Sequence, residues 1–383
     1  MRCLLVKFRP FAYYDDIIRA CHENGLEVAA EYCDEPGDIG GFLATLDRFR
    51  PDFMLCHPHL SGFASLAGAE RGILVLHWMA DKLLSKKKFD TLKLYDSDCI
   101  LSTCIEDVKY IRSVGVKANY VPNVCNINPI DYPRGEAAYG VSFVGTVELG
   151  ENNYYRHFIA NLDEKFGSLS ETHARVAEAW KDIFARLLET QVEASKYSRY
   201  ILPEFIDAAF EQSSFTEFDK DYILSVLAKE VASMQRRHFI QAVPQLDAFG
   251  PEDWGRVDLP NVRYRGTCDQ YHESGQVFAR SRINLAVTRV YSMDGLSDRI
   301  FNVLRAGGFL LANRQEPLQQ MFREGVHLDA YTTVEELIDK IRYYEDHPLA
   351  RERIAQCGLE EVLKNHTFGS RIRRILDLLK QPS

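Results

Sequence analysis

The sequence predicts an α/β protein of two Rossmann-like, doubly wound domains facing a cleft, with a helical insertion in the second. Three observations carry this. Through the first third of the 383 residues, short apolar runs alternate with segments of helical periodicity, the pattern of β-α-β units on a parallel sheet. The alternation resumes after a stretch rich in Pro and Gly. Inside the second half lies a long segment with little Gly or Pro, whose apolar residues recur three and four positions apart.

The elements follow in order. Cys3 to Phe8 reads as a strand and Tyr13 to Asn24 as a helix, with Gly25 as its C-cap. Strands at Leu26 to Tyr32, Asp52 to His57, Gly72 to His77, Cys99 to Ser102 and Asn119 to Val121 alternate with helices at Ile39 to Phe49, Gly62 to Glu70, Lys82 to Leu94 and Ile105 to Val114. This completes a domain over residues 1–125. Residues 126–140 carry Pro129, Pro133, Gly135 and Gly140 and read as a linker. The second domain, 141–365, opens on the strand Tyr139 to Gly145. It is interrupted at about 154–242 by the helical insertion, where Ala179, Ile183 and Leu187 share one face. Strands resume at Gln245 to Gly250, Val262 to Gly266, Ile283 to Val287 and Gly308 to Ala312. Helices at Val334 to Asp346 and Ala350 to Asn365 close the domain, and the last helix, Ser370 to Lys380 within 366–383, is expected to pack back toward the first domain.

Composition narrows the function. Forty-six Lys and Arg against 55 Asp and Glu give a net charge of −9, which offers no basic face for nucleic acid. No run approaches the roughly 18 apolar residues of a membrane span. The apolar run after Met1-Arg2 is too short for a signal peptide and reads as a first strand. Nine scattered cysteines without a C-x-x-C pair argue against a disulfide framework or zinc ribbon, so a cytoplasmic protein is expected.

The most informative segment runs from Ser292 to Arg314. Gly295 and Ser297 precede a helix with Ile300, Phe301, Val303 and Leu304 on its apolar side, and Ser297 is a natural N-cap. Such a helix start, aimed at a cleft, suits an anion, because free N–H groups and the dipole favour phosphate. Arg299 in the first turn opposes that dipole, which suggests that it meets an anion. Gly307 and Gly308 end the helix before a buried strand.

This segment resembles the second domain of GT-B glycosyltransferases, within them the CgeB-like group related to glycosyltransferase family four. Arg299, Phe301, Ala306, Gly307 and Gly308 fit the group's helix-strand pattern, and Glu316 to Gly325, Thr333 to Pro348, Arg351 to Gly358 and His366 to Phe368 look like its closing helices. Phe143 to Gly145, Gly250 to Trp254, Tyr264 to Gly266, His77 to Asp81 and Tyr120 to Asn123 extend the likeness. Relatives often carry two glutamates eight positions apart; here Asp294 and Asn302 stand there, implying contacts to the donor sugar and the ribose. Lys7 to Tyr14 replaces the glycine-rich loop of many first domains.

The resemblance implies a metal-independent, retaining glycosyltransferase that moves a sugar from a UDP- or GDP-linked donor to a glycan, lipid-linked or protein acceptor, without a cofactor. Gly145, Thr146, Arg156, Arg265, Gly295, Ser297 and Asn302 would hold the donor, with Arg156 and Arg299 offsetting the diphosphate charge. His77, Asp294 and Arg299 are the catalytic candidates, His77 because a strand-end imidazole titrates near working pH. Its bland alternative is a histidine packed beside Trp78, and Asp81 serves equally as a helix N-cap. A nucleotide-sugar epimerase or hydrolase of the same fold and a non-catalytic scaffold are the rivals.

Other features carry less. His57 and His59 flank Pro58 without an acidic partner, a weak zinc signal, so no metal is expected. Asp96-Ser97-Asp98 reads as a turn before a strand rather than a metal-binding D-x-D. Lys86 to Lys88 and the final helix with Arg371, Arg373 and Arg374 suggest weak membrane-surface contact, for which a solvated face is the simpler account. The insertion offers an acceptor surface or a homo-oligomer contact.

Overall fold

Six apolar segments among the first 120 residues pair into one parallel sheet. A computed structural model of the chain describes residues 1–33, 38–83, 89, 92–133, 135–147, 153–167, 170–195, 199–211 and 219–380. The first domain runs β1 (Arg2–Lys7), α1 (Tyr14–Glu23), β2 (Glu27–Tyr32), α2 (Ile39–Phe49), β3 (Phe53–Cys56), α3 (Gly62–Arg71), β4 (Leu74–Trp78), β5 (Asp98–Ser102), α4 (Ile105–Ser113) and β6 (Lys117–Tyr120). Its strand order is β2-β1-β3-β4-β5-β6. The chain therefore winds one way from β1 to β2 and the other way from β3 onward. The helix expected over 82–94 lies mostly outside the described residues.

The second domain carries β7 (Tyr139–Val144), β8 (Leu246–Phe249), β9 (Val262–Tyr264), α9 (Ser274–Ala279), β10 (Ser281–Ala286), α10 (Asp298–Arg305), β11 (Leu310–Asn313), α11 (Glu316–Met321), β12 (Asp329–Tyr331), α12 (Val334–Asp346), α13 (Pro348–Asn365) and α14 (Phe368–Leu379). The order β12-β11-β10-β7-β8-β9 is again all parallel, and the winding direction reverses between β7 and β10. Between β7 and β8 come α5 (Tyr154–Gly167), α6 (Glu171–Ser195), α7 (Leu202–Glu211) and α8 (Lys220–Ile240). These insertion helices have a core of their own around Phe158, Trp180, Phe184, Ile206 and Leu227. Each such full burial contributes about 1.5–3 kcal/mol. The insertion is tied down because α8 continues into the domain core through Phe239 and Ile240, while Val290 and Tyr291 reach back into the helical core.

Three connections fix the domains against each other. The last helix, α14, returns to the first domain: Asn24 Nδ2 donates to the Gly369 carbonyl at 3.1 Å, and Phe368 meets the Trp78 ring edge-on at 6.1 Å. Buried Arg371 donates to the carbonyls of Pro122 and Asn123, each at 2.9 Å. Finally, backbone meets backbone where Cys104 bridges Gly295. A Cβ on Gly295 would stand 2.5 Å from the Thr103 carbonyl oxygen, so only glycine permits this approach.

Candidate functional site

In an open parallel sheet, ligands bind beyond the carboxyl ends of the strands where the winding direction reverses. In the second domain that point lies after β7 and β10. Thr146, two residues beyond β7, has its hydroxyl 3.2 Å from Arg236 Nη1 and 3.5 Å from Arg289 Nη2. Arg236 also donates to the carbonyls of Thr146 at 2.8 Å and Val287 at 3.3 Å, and its guanidinium lies over the Phe143 ring. Two cations thus converge, half-buried, at the switch point. Beside them Thr288 N–H donates to Asn313 Oδ1 at 2.7 Å, and Gln315 Nε2 to the Thr288 hydroxyl at 3.0 Å. The Gln315 amide oxygen is buried without a partner among the described residues. Gly145 precedes this floor; its carbonyl accepts from Trp254 Nε1 at 2.8 Å, and a Cβ on neighbouring Gly250 would fall 2.2 Å from the Gly145 oxygen.

The remaining candidates of the second domain divide. Ser297 caps α10, its hydroxyl accepting from Arg299 N–H at 3.3 Å. Arg299 lies over the Phe278 ring, 5.4 Å from its centroid, and its Nη1 is buried without a hydrogen-bond partner among the described residues. Burial pulls its guanidinium below the usual range, against the opposing charge of Asp298. Such an unsatisfied donor is worth about 1–3 kcal/mol to any anion that reaches it.

Asp294 and Gly295 belong to the domain contact. Asp294 accepts from Lys82 Nζ at 2.5 Å and, across the cleft, from the Glu106 N–H that opens α4, at 2.9 Å. Burial works against the Lys82 charge, but Asp294 outweighs it and holds its ammonium above the usual range. Asn302, expected at a ribose, has no exposed surface; its amide is spent on Asn126, accepting from the backbone N–H and donating to Oδ1, both at 2.8 Å. That is a correction: Asn302 pins the interdomain linker. Arg265 also departs from expectation, because its guanidinium turns back along the sheet to Asp247 at 2.7 Å, in a cavity of about 380 Å³ at the strand starts. Arg156 is exposed in the first turn of α5.

His77 requires the clearest correction. Side chains alternate along a strand, so Leu76 and Trp78 point toward the core shared with α14 and His77 points the other way. It is fully buried, with Nε2 3.0 Å from Asp98 Oδ1 and 3.1 Å from the Ser65 hydroxyl. Asp98 also accepts from Tyr95 N–H at 2.7 Å, which is the turn expected of Asp96 to Asp98. A sealed imidazole cannot serve as base to a substrate in the cleft. His57 is likewise turned inward, its Nδ1 donating to the Trp78 carbonyl at 2.9 Å, and burial lowers it to about 4; His59 is exposed against Phe8. Among the described residues no group of three His, Cys, Asp or Glu gathers as metal ligands. None of the nine cysteines forms a disulfide. No described helix is long and apolar enough to cross a membrane. Lys86 to Lys88 lie outside the described residues, and α14 is packed on the first domain, where Arg374 Nη2 donates to the Tyr120 carbonyl at 3.1 Å.

Two parallel sheets with a switch point each, held face to face, decide the architecture. The chain has the GT-B fold. Sucrose-phosphate synthase from Thermosynechococcus elongatus superposes with a TM-score of 0.51 at 12% identity, over 100% of this chain and 98% of that one. HepE from Anabaena, in complex with UDP and glucose, gives 0.53 at 10% identity, over 99% of both chains. T4 phage BGT, in complex with its UDP-glucose substrate, gives 0.54 at 10%, over 99% and 98%. Residues 234–377 match the model of a glycosyl transferase-like family. This segment starts two residues before Arg236 and takes in Arg289 and α10. No curated protein matches the chain significantly.

Sequence pattern does not mark out Arg236, and it marks Arg289 only by position. Arg289 had a signal: it stands three residues past β10, where a switch-point ligand is met. Arg236 had none, since nothing in the sequence places a residue of the insertion's last helix over Thr146.

Proposed function

We propose that the protein transfers a sugar from a nucleoside diphosphate donor held at the β7/β10 switch point to an acceptor on the first domain. One observation carries this: the guanidinium groups of Arg236 and Arg289 converge on Thr146 at the position where GT-B sheets present their ligand crevice. Two fixed cations offset the charge that develops on a departing diphosphate and require no metal to do so. Arg299, with its unsatisfied Nη1 above the Phe278 ring, supplies a third cation near the start of α10. The match of 234–377 to a glycosyl transferase-like family and the UDP-glucose carried by HepE and BGT-type neighbours support the donor class.

The narrower reading places the chain in the CgeB-like group with retention of anomeric configuration; its support is the pattern Arg299, Phe301, Ala306, Gly307, Gly308. Asp294, which already spans the domains, would then orient the sugar through the closed cleft rather than act as a free acid. A cytosolic site of action fits nine cysteines without a disulfide. Thermal denaturation with UDP, GDP and ADP tests the donor site. A ligand at 100 times its Kd adds about 2.7 kcal/mol, so one of the three should raise the midpoint by several degrees. No shift with any of them removes the donor-site assignment.

A further inference from the structure

The first domain has a switch point of its own, between β1 and β3, and the proposed function leaves it without a named ligand. Aromatic rings crowd it. Phe11 and Tyr13, on the loop after β1, are stacked with centroids 5.2 Å apart and planes at 16°. Tyr13 meets His57, the residue after β3, at 5.7 Å and Phe368 of α14 at 6.0 Å. His57 in turn lies 4.7 Å from Trp78. Phe11 and Tyr13 are only partly covered, whereas the rings behind them are buried. The stack is therefore a supported platform whose outer members keep part of their surface exposed.

Polar groups of both domains rim it. Asp81, past the end of β4, is exposed and makes no hydrogen bond or ion pair among the described residues. Asp298 approaches from the second domain, where Gln270 Nε2 donates to its Oδ2 at 2.6 Å. Tyr271 of the second domain donates to Asp16 of α1 at 2.7 Å. Ala80 N–H donates to the Pro58 carbonyl at 3.3 Å, which brings Asp81 to the loop after His57; burial chiefly, then Tyr14 and the carboxylates of Asp298 and Asp81, push the Tyr13 phenol above its usual value. Against these two stands the exposed Arg9, while Lys82 is engaged by Asp294. Among the described residues, no paired cations gather on the rim as a cradle for a phosphate or uronate.

Resting on the glycosyl-transfer reading, we propose that the Phe11–Tyr13 platform is the acceptor subsite and that it takes a neutral saccharide. The chemistry fits on two counts. The C–H faces of a pyranose ring carry partial positive charge and lie against the negative face of an aromatic ring. Vicinal hydroxyls donate two hydrogen bonds to one carboxylate, the role open to Asp81. Placement at a switch point and a mostly aromatic surface with a few polar groups match a small-molecule site.

Saturation-transfer NMR on the full chain tests this with defined probes: methyl glycosides of glucose, galactose, mannose and N-acetylglucosamine, with glucuronate as anion and choline as cation. At least one neutral glycoside should show saturation transfer exceeding that of glucuronate and choline. Phe11→Leu, which keeps the bulk but removes the ring face, and Asp81→Asn should each lower that signal at least fivefold, while Tyr13→Phe retains the stack and most of the signal. UDP affinity, measured in parallel, should stay within twofold in all three variants. Silence from every neutral glycoside in a protein that binds UDP overturns the platform alone, as does preference for glucuronate or choline. Loss of UDP binding in the unmodified chain overturns the donor reading instead, and glycoside binding there would leave the platform standing.

Discussion

Gly295→Ala tests how the two domains are held. An alanine Cβ would sit 2.5 Å from the Thr103 carbonyl oxygen and 2.9 Å from Cys104 Sγ, roughly 1 Å short of ordinary contact. The first obstacle is backbone, so no rotamer change relieves it and the segments must separate. What depends on their closeness is specific: the Cys104–Gly295 bridge, Ile105 N–H to the Asp294 carbonyl at 3.3 Å, Glu106 N–H to Asp294 Oδ2 at 2.9 Å, and Lys82 to Asp294 at 2.5 Å. At about 1 kcal/mol for each hydrogen bond, the contact is worth about 3 kcal/mol. The Asn126–Asn302 pairing and α14 remain, so the variant should open rather than unfold. Small-angle scattering should give a larger radius of gyration for Gly295→Ala, and the thermal midpoint should fall. Gly135→Ala, with nothing within 4 Å of its Cβ, is the control and should match the unmodified protein. A Gly295→Ala protein with unchanged scattering and midpoint would refute the argument that this approach sets the domain geometry.

Three further outcomes follow from single residues. His57 is held at about 4, so between pH 6.5 and 4 the unfolded chain binds the extra proton and stability falls on acidification, by about 3 kcal/mol in total. Asp107, raised to about 6 mainly by burial, acts with the opposite sign over the same window, so the diagnostic is a comparison: urea unfolding of His57→Asn should lose less stability from pH 7 to 4.5 than the unmodified chain. Equal losses would contradict the burial of an uncharged His57. Arg371→Met leaves the Pro122 and Asn123 carbonyls without their donor and should cost about 3 kcal/mol in urea unfolding, with earlier proteolytic release of α14; an unaltered digestion pattern would count against that role. Arg299→Ala removes a buried donor without a hydrogen-bond partner among the described residues, so it should weaken nucleotide binding about tenfold with little change in thermal midpoint, whereas equal loss of both points to a structural residue.

The strands of both sheets were legible because parallel strands buried on both faces are near-continuous apolar runs, as in Cys3 to Val6 and Leu310 to Ala312. The insertion was legible through helical spacing and scarcity of Gly and Pro. Two elements were not: β12 is three residues, Asp329 to Tyr331, too short for a pattern, and α9 is six. In the site, Ser297 could be read because N-capping is local chemistry. His77 could not, since a one-residue change of strand parity decides whether an imidazole faces a cleft or a sealed pocket with Asp98 and Ser65. Asn302 looked like a ligand residue only by position, and its partner, Asn126, lies 176 residues away. The convergence of Arg236 on Thr146 spans 90 residues and the whole insertion, a distance over which no local pattern carries information.

On the proposed function, a nucleoside diphosphate binds at the β7/β10 switch point, beside Arg236 and Arg289. Isothermal titration of UDP, GDP and ADP into the unmodified chain, Arg289→Gln and Arg265→Gln tests it directly. At least one of the three should bind, and Arg289→Gln should weaken it about 10- to 100-fold, the value of a hydrogen bond to a charged group. Arg265→Gln, at the strand starts beside Asp247, should change it less than about threefold. Absence of binding by all three nucleotides, or a loss in Arg265→Gln as large as in Arg289→Gln, would contradict it.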